Sequence, residues 1–185
     1  YLFYPAQFWP HKNHKYIVDA VSNYNHENSK KINIIFCGSD KGNLKYIQKI
    51  IKEKNLESYF KFIGFISDEE VIALYKHSKA LIMPTYVGHS SLPMYEAFYF
   101  KVPVIYTQNL LDEKLKELVY EIDINNPNQL REIINKIEIN KDLKNQKINN
   151  AKLFYDENCD KEKMLAKIKK IFDEYKNIRL RWNNS

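Results

Sequence analysis

Short apolar runs separated by longer amphipathic segments are the feature that most constrains this chain. The runs are YLFY (1–4), INIIFCG (32–38), YFKFIG (59–64), ALIMP (80–84) and VPVIY (102–106), with a weaker VYEI (119–122). Between them lie amphipathic stretches over 12–24, 43–55 and 67–77, and a helix from about Leu92. The runs lack two-residue alternation, as expected of strands covered on both faces, and strands alternating with helices read as β-α units on a parallel sheet. An α/β fold with helices flanking that sheet is predicted. Helix starts are marked by a capping box at Ser67-Asp-Glu-Glu70 and by Pro127 after Asn126. A helix over 127–139 and two lysine-rich segments ending near Tyr175 read as extra C-terminal helices. The basic end, IRLRWNNS, carries a Trp182 expected to be exposed and to dock on another part of a longer protein, of which this chain reads as a piece, since it opens without methionine on a strand.

Composition narrows the partners. The 185 residues are 44% hydrophobic with a net charge of +6, which fits one folded domain over 1–185. The lysines are interspersed with acids, and dense arginine blocks are missing, so a nucleic-acid partner is not expected. Cys37 and Cys159 lie in dissimilar surroundings and suggest neither a disulfide nor a metal site, which points to the cytoplasm. No run approaches the roughly eighteen apolar residues of a membrane span.

The stretch PTYVGHSSLPMYEAFYFKVPVIY holds one carboxylate, Glu96, the only acid between Glu70 and Asp112. A helix apolar on every side is normally buried, and a buried carboxylate requires a partner. Backbone amides or a lysine would serve; so would the hydroxyls of a ligand in a sheet-edge crevice. The small residues ahead of the helix, Gly88, His89, Ser90 and Ser91, favour the ligand, because a helix N-terminus behind a small-residue loop exposes amides to an anion such as a diphosphate. Gly38, Gly64 and Gly88 all follow predicted strands, where such a crevice forms. Neither G-x-G-x-x-G nor a P-loop occurs, and a Ser-His nucleophile lacks its elbow and acidic orienter.

These residues carry a resemblance. PTYVGHSSLPMYEAFYFKVPVIY, with GFISDEEVIALYKHSKALIMP before it, resembles the nucleotide-sugar site of the retaining glycosyltransferases called family 4 or group 1. YPAQFWPHKNH resembles the opening of the C-terminal domain in their mannosyl- and rhamnosyl-type subgroup. Together the matching blocks span roughly residues 1–106. The resemblance implies one Rossmann-like half of a GT-B fold, the donor-binding C-terminal half, whose partner is the N-terminal acceptor domain of the same protein. It implies transfer of a sugar from a nucleotide-diphosphate donor, with retention, to a lipid-linked or polysaccharide acceptor in surface glycan synthesis such as O-antigen, capsule or lipopolysaccharide, and so a cytoplasmic enzyme working at the inner face of the membrane.

By position, Glu96 is the second glutamate of the family's E-x7-E motif, expected on the ribose hydroxyls. Lys12 matches the lysine on the diphosphate; taken alone it reads as a solvated surface lysine. Leu92 continues the motif, and Phe65 and Ile66 correspond to where the base is held. Two positions depart: Gly88 stands where the first glutamate would be, and Gln7 replaces the usual arginine. No Asp-x-Asp or ligand cluster suggests a metal, so charge on the leaving diphosphate falls to cations and amides. A GT-B sugar-nucleotide epimerase and a non-catalytic nucleotide-binding or interaction module are the alternatives.

Overall fold

The structure, a computed structural model, describes residues 1–88 and 92–182. Six strands form one parallel sheet: β1 (Leu2–Pro5), β2 (Ile34–Cys37), β3 (Phe60–Phe62), β4 (Ala80–Met83), β5 (Val104–Thr107) and β6 (Tyr120–Ile122), in the order β3-β2-β1-β4-β5-β6. The connecting helices are α1 (His14–Glu27), α2 (Leu44–Glu53), α3 (Asp68–His77), α4 (Leu92–Tyr99), α5 (Glu113–Lys116) and α6 (Gln129–Ile139), followed by α7 (Lys141–Asn158) and α8 (Lys161–Trp182). The α/β prediction therefore holds. Every residue of β4 and β5 is buried, as strands covered on both faces must be. One helix layer packs α1 against α2 and α6, while α3 lies on β1 and α4 on α7.

Local chemistry explains where the elements start. Ser67 Oγ accepts from the Glu70 amide at 3.3 Å while the Glu70 carboxylate accepts from the Ser67 amide at 2.9 Å, which is the expected capping box. The first helix opens at His14, later than its amphipathic pattern, because Asn13 is left-handed (φ 52°) and Pro10–Lys12 forms a 3-10 turn. The sixth helix starts at Gln129, with Pro127 in the turn ahead of it. Two features differ further from expectation: α8 continues beyond Tyr175 to Trp182, and α5 was not anticipated. Four residues are too short for a periodic pattern; only the Asp112 cap, which accepts from the Leu115 amide at 2.9 Å, marks α5. Trp182 is exposed, both cysteines are free, and no helix among the described residues is long and apolar enough to cross a membrane.

The chain runs outward from β1 to β3 and returns to place β4 on the other side of β1. Only two residue pairs join β1 to β4, Leu2 with Ala80 and Phe3 with Leu81, against four between β1 and β2. The two strands thus part toward their C-terminal ends, leaving the crevice that a topological switch point provides. Beside it, Gly38 crosses so close to β1 that an added Cβ would lie 2.5 Å from the Ala6 carbonyl oxygen, so only glycine fits there.

His14 is the most unusual core residue. Its ring stacks on Phe8 at 4.3 Å and meets Tyr4 at 4.8 Å and Phe36 at 5.1 Å. Neither ring nitrogen has a well-formed hydrogen bond among the described residues, although the Ala6 backbone lies near enough to favour the charged ring. Burial outweighs that contact and, helped by the charge of Lys12, pushes the pKa from 6.5 down to about 4. As the pH falls below 6.5, His14 takes up a proton in the unfolded chain but not in the folded one until about 4. The folded state therefore loses stability through that window, by up to roughly 3 kcal/mol. His14→Phe should flatten the stability profile between those pH values, as read by urea unfolding at a series of pH; an equally steep profile would assign the acid sensitivity elsewhere.

Candidate functional site

Three loops at the C-terminal edge of the sheet carry the residues singled out from the sequence: Gln7 and Lys12 after β1, Phe65 and Ile66 after β3, and Gly88 and Leu92 after β4. The first and third are fastened together. The Tyr86 amide donates to the His11 carbonyl at 2.9 Å, and the Thr85 hydroxyl, bonded to the Val87 carbonyl at 2.8 Å, has the same His11 oxygen at 3.2 Å. From below, the Tyr4 phenol donates to the Lys12 carbonyl at 2.8 Å, the Thr107 hydroxyl to the Thr85 carbonyl at 2.9 Å, and the Tyr106 phenol to the Gly88 carbonyl at 2.9 Å. One backbone bond and the Thr85 hydroxyl thus tie the lysine loop to the segment leading into α4.

Lys12 is half-buried, and desolvation lowers its pKa; among the described residues no carboxylate pairs with it. Its charge is therefore uncompensated locally, as suits a site for an anion. Gln7 is exposed and its side-chain oxygen accepts from the Trp9 indole at 3.0 Å. Phe65 projects into solvent, 89% exposed, whereas Ile66 turns away to line a separate hollow with Tyr1, Ile63 and Leu74. Gly88 has φ +120°, a conformation that side chains with a Cβ rarely adopt. His89, Ser90 and Ser91 lie outside the described residues.

Glu96 requires a correction. The all-round apolar helix was expected to bury it, but Glu96 is exposed, on the side of α4 that faces a groove of about 750 Å³. Val71, Tyr75, Leu92, Glu96, Tyr99 and Cys159 are among its walls, with Leu92 itself 77% exposed at the mouth. The expected partner exists nonetheless: the Tyr75 phenol donates to Glu96 Oε2 at 2.8 Å. Burial first, then the neighbouring carboxylate, raises the Tyr75 pKa far above the ordinary phenol range, so this hydroxyl stays a donor. Tyr75 and Tyr106 were not singled out from the sequence. In VIALYK and VPVIY they read as core aromatics, and only the choice of tyrosine over phenylalanine hinted at a polar task.

Glu96 and Leu92 therefore share the groove, while Lys12 and Gly88 lie on the two loops that the Tyr86 to His11 bond fastens together and Phe65 stands exposed after β3. Among the described residues no three His, Cys, Asp or Glu side chains converge as a metal site would require.

Comparison with known proteins gives this geometry a context. The profile of a family described as glycosyl transferases group 1 matches residues 1–154. No curated protein matches the sequence significantly. Among solved structures, HepE of Anabaena in complex with UDP superposes with a TM-score of 0.79 at 16% identity, covering 94% of this chain and 48% of that one. Sucrose-phosphate synthase of Thermosynechococcus elongatus gives 0.81 at 17%, over 96% and 45%. The C-terminal domain of LpcC, a group 1 family protein of Francisella tularensis, gives 0.66 at 16%, over 82% and 81%. At such identities the likeness is one of fold, and the chain spans about half the length of the first two.

The backbone at Gly88 carries a prediction of its own. Gly88→Glu puts a Cβ at φ +120° and should cost about 1–3 kcal/mol of stability, seen as a lowered midpoint in urea unfolding; a variant as stable as the parent would show that the loop relaxes.

Proposed function

The chain belongs to the group 1 glycosyl transferases, and we propose that it is the donor-binding half of a GT-B enzyme that moves a sugar from a nucleotide diphosphate to a lipid-linked or polysaccharide acceptor. The observation that carries this reading is the meeting of two features. The Lys12 loop is bonded through His11 to the segment entering α4, and on α4 the Glu96 carboxylate faces an open groove. A cation and a helix N-terminus suit a diphosphate, and a carboxylate further along the same helix suits the ribose hydroxyls.

In this reading Glu96 accepts from the ribose, and Lys12 with the amides at the start of α4 takes up the charge of the departing diphosphate, without a divalent metal. Phe65 borders the base, while Ile66, whose side chain lines a separate hollow, contributes its backbone. Solved relatives of the same fold are described with UDP and with UDP-glucose, which supports a nucleotide-sugar as the ligand class. The retained anomeric configuration, the subgroup of mannosyl- or rhamnosyl-type transferases and a role in surface polysaccharide synthesis belong to the same proposal, as does a place at the inner face of the membrane. A second reading, a module that binds nucleotide without transferring sugar, is favoured by Gly88 and Gln7 standing where a charged pair would otherwise serve. Activity of the full-length enzyme with a donor panel separates the two.

Titration of the chain with UDP, GDP and dTDP by calorimetry or NMR should find one that binds. Glu96→Ala and Lys12→Ala are each expected to weaken it by about tenfold or more, the scale of one charge-assisted hydrogen bond. If none binds at millimolar concentration, or Glu96→Ala leaves binding unchanged, the donor-site reading fails.

A further inference from the structure

Tyr75 deepens the donor-site reading and rests on it. The residue is wholly buried, its ring edge-on to Phe3 of β1 at 5.0 Å and stacked on Phe100 at 5.6 Å. Between these rings the phenol oxygen has a fixed position. It lies 2.8 Å from Glu96 Oε2 and 3.2 Å from the Pro93 carbonyl oxygen. A phenol has one proton to give, and the shorter contact, to the charged acceptor, takes it. Glu96 by contrast is an exposed helix residue whose other carboxylate oxygen has no hydrogen bond among the described residues. Without the phenol, that side chain would sample several rotamers and lose that freedom on binding a ligand.

We propose that Tyr75 is a positioning residue for the ribose: its phenol holds one oxygen of Glu96 so that the carboxylate's remaining acceptor capacity faces the groove, ready for the 2′- and 3′-hydroxyls. Buried between two rings, the phenol stays in place when the ligand leaves, so the carboxylate is oriented before binding.

The test compares UDP with 2′,3′-dideoxy-UDP by calorimetry on the 185-residue chain. Tyr75→Phe, which keeps the ring, should cut the preference for UDP by about three- to tenfold while leaving affinity for the dideoxy nucleotide unchanged. Adding it to Glu96→Ala should weaken UDP no further, as two residues acting through one contact require. Equal loss for both nucleotides would make Tyr75 merely structural and overturn the proposal, as would an unchanged preference. If Tyr75→Phe does not fold, Glu96→Asp serves instead: a carboxylate drawn back from the phenol should lose the preference, and keeping it counts against the proposal. Should Glu96→Ala itself spare UDP binding, the donor-site reading falls; should Glu96→Ala abolish the preference and Tyr75→Phe not, only the role of Tyr75 falls.

Discussion

Tyr4, Tyr75 and Tyr106 are wholly buried, yet each phenol hydroxyl donates a hydrogen bond to a segment of the site: to the Lys12 carbonyl, to the Glu96 carboxylate and to the Gly88 carbonyl. A buried hydroxyl without a partner is costly, so each ring can keep its place in the core only while its acceptor stays put. The dependence runs both ways. Core packing fixes the rings, and the rings fix three segments that would otherwise be exposed loop or helix surface. Desolvation raises the pKa of Tyr4 and Tyr75, which keeps both hydroxyls protonated and donating.

This explains how a sheet can open at its switch point without losing the loops around the opening. Beyond Phe3 and Leu81, β1 and β4 no longer pair, and the ladder bonds that would have joined them are replaced by the Tyr86 to His11 bond and the phenols beneath. Neighbouring β5 contributes as well, through Thr107 and Tyr106. The loops around the crevice are thus held because side chains from β1 and β5 take over from the backbone ladder.

Much of this architecture was legible in the sequence, and the misses have physical reasons. Strands buried on both faces announce themselves as apolar runs, and Ser67 with Glu70 encodes a cap within four residues. The burial of Glu96 was misjudged because LPMYEAFYF counts tyrosine as apolar. On α4 only Met94, Ala97 and Phe98 are buried, while Tyr99 and Glu96 line the groove. A tyrosine beside a carboxylate is as well suited to a half-wet wall as to a core, and composition does not separate the two. Conversely, His14 was not singled out from the sequence and is entirely enclosed. No local pattern signals that three aromatic rings from β1, the loop after it and β2 converge on it.

Gly88 shows how a residue's meaning changes once its backbone is known. Read as a letter, it is a carboxylate missing from a familiar place. In the structure it has φ +120°, and its carbonyl is the acceptor for Tyr106. The left-handed conformation and the hydrogen bond belong together, since the turn there presents the carbonyl downward to the phenol. An acid could not simply be restored without straining the turn that holds the loop. The glycine is therefore part of the loop's construction, and any group that recognises the sugar in place of that acid has to be carried by other residues around the crevice. Lys12, without a carboxylate partner among the described residues, is a charged side chain on the loop bonded to this segment.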